Sequence, residues 1–293
     1  MGIWVDTDMG VDDLAALLLA QRLGIDGISL VFGCAEMPAV RANALAACAA
    51  FGWPAPVQGA DRAVLGGVET AARILGPTGQ PSRGGRLAPV PDCTPGAAVP
   101  ALAQWLSGQE DAQILALGPL TNLAALVLAH PALAARIGRI TWMGGATGRG
   151  NHTEYAEFNA IADPEALAVL LSRAIPIDMV DLDPCRRVQI RESDIAPLPQ
   201  PLRDLMGGYL DIGLSRGRAG MALYDPVAAA LLVAPQLFTL TDVSIAVELH
   251  DGERLGQTRV SPRGAHRVIT DLDPDAVRAL CLSALSAPVA VPT

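Results

Sequence analysis

Eight residues near the start of the chain, Asp6-Thr7-Asp8-Met9-Gly10-Val11-Asp12-Asp13, carry four carboxylates. Charges crowded this closely repel one another unless something positive offsets them. A hard divalent cation held by oxygen ligands is the natural candidate. The apolar run Ile3-Trp4-Val5 precedes the acids, and the helical pattern Leu14-Ala15-Ala16-Leu17-Leu18-Leu19-Ala20 follows them. The cluster therefore sits at a strand-to-helix junction. In open parallel α/β sheets, ligands bind beyond the carboxyl ends of the strands, where such a junction lies. Gly10 permits a sharp turn or a close approach to a ligand. Asp12 and Asp13 fall in the first helical turn, where negative charge suits the helix dipole. One acid here would need no more explanation than a helix cap; four exceed that explanation.

Four further places combine polar residues with the ends of apolar runs. Cys34 follows Gly33. Gly118-Pro119-Leu120-Thr121-Asn122 follows another run. Met143-Gly144-Gly145 leads to Asn151 and then to Glu157-Phe158-Asn159, and Tyr224-Asp225-Pro226 opens a helix. Singly, each has a plain reading. Asp225 before Pro226, or Thr121-Asn122, caps a helix, and Cys34 is a small buried filler. Their joint placement at one sheet edge is what points to a site.

The elements that must position these residues alternate between strand and helix. Strands are expected at Gly27 to Gly33, from Pro56-Val57, at Ala112 to Leu117, Arg139 to Met143 and Ile177 to Leu182. Helices are expected at Arg41 to Phe51, Val99 to Ser107, after Asn122 to Leu128, and at Asp163 to Ser172. Continuous apolar strands between helices predict a mainly parallel sheet covered on both faces. Gln58 to Ala98 reads as loop and lid-like structure, partly helical around Glu69 to Leu75. The last third reads as more helical, through Leu202 to Leu214 and Pro226 to Leu232. Val243 to Leu249 and Gln257 to Val260 are expected as late, antiparallel strands. Pro274 to Leu285 closes the chain with Asp273 as its N-cap. No repeat and no linker divides the sequence, so residues 1–293 read as one α/β domain, an open, mainly parallel (mixed) sheet flanked by helices.

The 293 residues are 51% hydrophobic and 17% charged, enough for a large buried core. A net charge of −9 without a basic run argues against a nucleic-acid partner. Aromatic residues, at 4%, leave few stacking platforms. Cys34, Cys48, Cys93, Cys185 and Cys281 are odd in number, widely spaced and without a CxxC pair. That pattern indicates neither a disulfide framework nor a zinc site, and reduced thiols suit a cytoplasmic protein. No signal segment and no membrane span is read from the sequence.

Taken in order, DTDMGVDD, GPLTN, WMGG, AEFN followed by DPEA, and YDP make the chain similar to the inosine-uridine-preferring nucleoside hydrolase family. The matches run from Asp6 to Asp225. The resemblance implies a Rossmann-like fold and a calcium-dependent N-ribohydrolase acting on a small-molecule nucleoside. It implies Ca2+ ligands Asp8, Asp13, Asp225 and the carbonyl of Leu117, with Asp8 also the general base for a water. It places Asp12 on the ribose 2′-hydroxyl, Asn159 on the ribose diol, and Glu157 and Asn151 on the 5′-hydroxyl. Met143 would line the sugar pocket, and a homodimer or homotetramer is expected.

Three positions depart from the family pattern. Cys34 stands where Asn is common, as in a less-studied branch with Cys at this place. Tyr224 replaces the His before the metal-binding Asp, which helps to protonate the leaving base. Leu75-Gly76 replaces a His-Gly pair. His152 beside Asn151 is the one histidine near the expected pocket, and Tyr224, Arg216, Arg218 and Tyr209 are further candidates for the base side. Two alternatives stay open: a non-catalytic ribose- or nucleoside-binding protein that keeps the calcium site, and a hydrolase of a different N-riboside. An EF-hand loop fails because Val11 and Leu17 occupy its Gly and Glu positions counted from Asp6. A haloacid dehalogenase-type phosphatase fails because Gly10 stands where that motif expects Thr or Val.

Overall fold

The first strand, β1 (Ile3–Thr7), is buried along its whole length. A strand with helices on both faces is largely apolar, as Ile3-Trp4-Val5 is, and its buried polar end, Asp6 and Thr7, is hydrogen-bonded. The computed structural model describes residues 2–92 and 96–286. β1 pairs in parallel with β2 (Ile25–Leu30), and β3 (Val57–Gln58) extends that side. On its other flank lie β4 (Ala112–Ala116), β5 (Ile137–Met143) and β6 (Ile177–Val180), all parallel. β7 (Gln189–Ile190) and β8 (Met221–Ala222) form a separate antiparallel pair. β9 (Phe238–Val247), β10 (Thr258–Pro262) and β11 (His266–Leu272) complete the main sheet. Its order is β10-β9-β11-β6-β5-β4-β1-β2-β3. β11 is parallel to β6 and antiparallel to β9, which is antiparallel to β10. The fold is thus single-domain α/β with a mainly parallel, mixed sheet.

The strand order reverses direction between β1 and β4, so their loops diverge and leave a crevice. Helix α1 (Val11–Ala20) leaves β1 into the protein interior, with only Asp12 among its residues not fully buried. A helix so apolar needs partners on all sides. It packs against the helices Asp225–Val233, Pro274–Leu285 and Leu202–Ser215. That packing brings Asp225 from far along the sequence to the acids of α1.

Several expected elements shift. α2 (Met37–Phe51) begins a turn before Arg41, with Pro38 tolerated in its first turn. The predicted strand to Leu182 ends at Val180, and Leu182–Arg187 turns into a short helix with Pro184 in its first turn. β9 starts at Phe238, well before Val243, because Phe238 to Asp242 pair with β11. β11 itself was not expected. Arg267 and Asp271 interrupt its apolar pattern, yet Arg267 is accommodated by buried Asp178 on β6, at 2.7 and 2.6 Å. Arg139 on β5 adds a third charge to this group, at 2.8 Å from Asp178. The last third stays more helical than extended, as expected, with β9, β10 and β11 as its strands in the main sheet. Within 58–97 the only α-helix among the described residues is Ala72–Leu75, and the helix Ala98–Ser107 follows.

Cys34, Cys48, Cys185 and Cys281 are buried and unbridged, while Cys93 lies outside the described residues. Among the described residues, no helix is long and apolar enough to cross a membrane.

Candidate active site

The loops after β1, β2, β4 and β5 open onto one cavity of about 880 Å³. From the β1 loop and α1 it is lined by Asp8, Asp12 and Asp13. Cys34 follows β2, Leu117 follows β4, and Met143 ends β5. Asn151, His152, Glu157 and Asn159 come from the segment after β5, and Tyr209, Tyr224 and Asp225 from the later helices. Every residue expected at the site thus faces one cavity, as do Arg216 and Arg218.

Asp6, counted at first among the clustered acids, does not face it. Alternation along β1 turns its side chain to the face opposite Thr7 and helix α1. There it accepts hydrogen bonds from Ser29 and from Asn122 Nδ2 at 2.8 Å, and its other oxygen has no partner among the described residues. Burial pushes this carboxyl up to about 7. Asn122 and Thr121 are likewise not helix caps. Asn122 joins Asp6, and Thr121 Oγ1 donates to buried Asp163 at 2.6 Å. Asp225 is the first residue of its helix, with Tyr224 at the cap position.

The remaining acids crowd together. Carboxylate oxygens of Asp12, Asp13 and Asp225 lie within 4.8 Å of one another. Burial, then the charges of Asp12, Asp13 and Asp8, holds Asp225 well above the usual carboxylate range. Burial and Asp13 do the same to Asp8, and raise Asp12 to about 7. Oxygens that share a calcium ion at ~2.4 Å lie no more than ~4.8 Å apart, so the cluster fits such an ion. The donors are all oxygens, as calcium requires; the trio contains Asp12 and not the expected ligand Asp8, which lines the same cavity with Leu117.

The surrounding chain fixes these groups. Thr7 Oγ1 donates to Asp13 Oδ1 at 2.5 Å, and the Gly10 amide donates to Oδ2 at 2.9 Å. The Cys34 amide donates to Asp8 Oδ2 at 2.5 Å. A Cβ on Gly33 would fall 2.1 Å from that same oxygen, so only glycine lets β2's end approach Asp8. Met9 between them adopts a left-handed φ of 46° despite its side chain. Its carbonyl is held by Asn43 Nδ2 at 3.2 Å and Gln80 Nε2 at 3.1 Å. Strain of this kind persists where surroundings over-determine it. Burial, and then the four aspartates, pushes the Cys34 thiol well up, so it stays protonated.

Opposite the acids, Asn159 Nδ2 donates to the carbonyls of Leu117 and Met143, each at 3.0 Å. A carbonyl has two lone pairs, which leaves Leu117 one for another partner. Glu157 is the N-cap of the helix Phe158–Ala162 and accepts from the amides of Asn159, Ala160 and Gly145. Burial raises it to about 7 against those hydrogen bonds. Asn151 Oδ1 accepts from the Phe158 amide at 2.9 Å. Tyr209 OH donates to Asp12 Oδ2 at 3.1 Å or to the Ala222 carbonyl at 3.0 Å. His152 lies with Nε2 3.7 Å from Glu69 and its ring against Phe158.

Sequence reasoning missed Arg73, Arg149 and Arg186, which also line the cavity. Arg186 lies just beyond the end of β6, where the rule about strand ends would have found it. Arg149 stands two residues before Asn151. Arg73 sits on the helix Ala72–Leu75 within the long loop and left no periodic signal.

An open, mainly parallel sheet with an acidic crevice at its switch point defines an α/β protein that binds its ligand beyond the strand ends. Two solved structures share the fold over nearly the whole chain. A plant nucleoside hydrolase superposes with a TM-score of 0.87 at 26% identity, covering 98% of this chain and 99% of its own. A purine-preferring ribonucleoside hydrolase from Gardnerella vaginalis gives 0.88 at 25% identity, covering 98% of each chain. The inosine-uridine preferring nucleoside hydrolase family model matches residues 3–279, and the chain belongs to this family. A relative from Salmonella paratyphi B, the non-specific ribonucleoside hydrolase RihC, is 32% identical over 272 residues, covering 89% of this chain and 88% of its own.

Proposed function

We propose that the chain hydrolyses the N-glycosidic bond of ribonucleosides, with calcium at the acidic cluster, giving ribose and free base. The observation that carries the reading is the convergence of Asp12, Asp13 and Asp225 within 4.8 Å, beside Asp8 and the Leu117 carbonyl, at the sheet's switch point. Asp8, Asp13, Asp225 and the Leu117 carbonyl would hold the ion. When bound, the ion lowers the pKa of a water and orients ribose hydroxyls.

The chain's own residues supply the rest. Asp8 accepts the proton of the attacking water, and the Cys34 amide orients its carboxylate. Asp12, itself fixed by Tyr209, accepts from the ribose 2′-hydroxyl. Asn159 meets the diol, Glu157 and Asn151 the 5′-hydroxyl, and Met143 packs on the sugar. Cleavage passes through a sugar with oxocarbenium character, and the surrounding carboxylates stabilise its positive charge. Tyr224, half-buried and with its phenol pushed above its usual range by desolvation, is a weak acid for the leaving base.

Buried, unbridged thiols support a cytoplasmic setting, and family membership supports a homodimer or homotetramer. The test is release of ribose from inosine and uridine by the purified protein, before and after chelation and on return of calcium. Turnover that calcium restores supports the reading. Tight nucleoside binding without turnover would favour the non-catalytic alternative.

A further inference from the structure

Five of the chain's 21 arginines line this one cavity, in a protein that has no lysine and a net charge of −9. Most others are engaged elsewhere. Arg83 holds Glu192 and Asp211, Arg267 and Arg139 hold Asp178, and Arg278 holds Asp194. Arg186 donates to Asp183 at 2.9 Å and to the Gly150 carbonyl at 3.0 Å. Arg73, Arg149, Arg216 and Arg218 make no hydrogen bond and no ion pair through their side chains among the described residues. The one acid on that rim is Glu69, 3.7 Å from His152. Unspent guanidinium groups around a concave site are the usual means of holding a carboxylate or phosphate.

Their position separates two ends of the cavity. The carboxylates gather where calcium and ribose belong. Arg216 and Arg218 lie in the segment between the helix Leu202–Ser215, whose Tyr209 bonds Asp12, and Tyr224-Asp225, on the side assigned to the leaving base, whereas Arg186 bonds the Gly150 carbonyl beside Asn151. Ile74, Leu75 and Met221 supply apolar surface in the same cavity. That end also lacks a strong proton donor. Its histidine is His152, already beside Glu69, and its phenol is Tyr224.

Resting on the hydrolase reading above, we infer that the preferred substrate is an N-riboside whose aglycone carries a carboxylate and departs without being protonated. A pyridinium carboxylate riboside has both properties. In its hydrolysis a water oxygen bonds to C1′ and one water proton passes to Asp8. The C1′–N bond breaks, and its electron pair returns to the ring nitrogen, which leaves as a neutral pyridine. Arg216 and Arg218 hold the carboxylate throughout. Placing the anion on the ribose 5′ carbon is disfavoured, since Glu157 is buried at the ribose end.

The test compares nicotinate riboside with nicotinamide riboside, which share a ring and leaving nitrogen and differ in the carboxylate. The inference predicts at least a tenfold higher kcat/KM for the carboxylate, falling towards parity in the Arg216→Gln/Arg218→Gln double variant. Arg263→Gln, outside the cavity, should leave the ratio unchanged. Calorimetric binding of both ribosides gives the same comparison if turnover is slow. Equal or weaker handling of the carboxylate by the wild type in both measurements would overturn the inference, as would a ratio unmoved in the double variant. Preference for uridine 5′-monophosphate over uridine, without preference for the carboxylated ring, would move the anion to the sugar and also overturn it. Loss of all hydrolysis with calcium present would instead sink the hydrolase reading.

Discussion

Replacing Asp225 by Asn should move metal binding and stability in opposite directions. Its carboxylate lies within 4.8 Å of oxygens from Asp12 and Asp13. At that separation and an effective dielectric of ~20, each pair of like charges repels by about 3.5 kcal/mol. The protein relieves part of this by holding protons, since Asp8, Asp12 and Asp225 are all raised. Asn keeps the side chain's shape and removes one charge. In chelator near pH 8, the variant should gain about 2 kcal/mol, or roughly 3 °C in Tm for a chain of this size. Its calcium affinity should fall on the order of 100-fold, equivalent to about 2.7 kcal/mol. Thermal melts in chelator and calorimetric calcium titration read the two effects separately. A variant that melts lower in chelator and still binds calcium like the wild type would refute the shared-ion geometry.

Three other outcomes follow from the same arrangement. Asp6, raised from 3.8 to about 7 by burial, stays protonated in the folded chain while the unfolded chain ionises. Its contribution to stability should therefore fall as pH rises from about 4 to 7, by up to about 4 kcal/mol, alongside losses in the same range from Asp12 and Glu157. Urea unfolding in chelator should show Asp6→Asn losing that share of the dependence, and an unchanged profile would place the titration elsewhere. A 2′-deoxynucleoside should react more slowly than its ribose parent by on the order of 10⁴, because Asp12 and the diol contacts lose their partner; equal kcat/KM values would remove these residues from the sugar. Tyr224→Phe should cost under tenfold in kcat, less than about 1.4 kcal/mol, whereas His152→Ala would slow inosine and uridine about a hundredfold only if His152 serves as the acid.

How far the sequence could be read follows from where each signal lies. Asp8, Asp12 and Asp13 are legible because they fall in one junction between an apolar strand and an apolar helix. Asp225 is distant in sequence, and only the YDP match tied it to them. The packing of α1 against its helix is what brings it close. Asp6 misled because charge density along the chain does not tell which face of a strand a residue takes. β11 escaped because Arg267 interrupts its apolar run, and its partner Asp178 is 89 residues away. Arg216 and Arg218 are legible as candidates for the base side, whereas Arg73, Arg149 and Arg186 sit on loops and helix ends without periodicity, so only the folded cavity collects them. Gln80 and Asn43, which hold the Met9 carbonyl, are ordinary polar residues until the backbone places them there.

The most direct test of the account is a crystal structure of the protein with calcium and ribose bound. The account predicts one ion held by Asp8, Asp13, Asp225 and the Leu117 carbonyl, with the ribose 2′-hydroxyl on Asp12 and the 5′-hydroxyl near Glu157 and Asn151. An ion bound outside this cluster, or a sugar seated against the arginines with its hydroxyls away from Asp12, would contradict it.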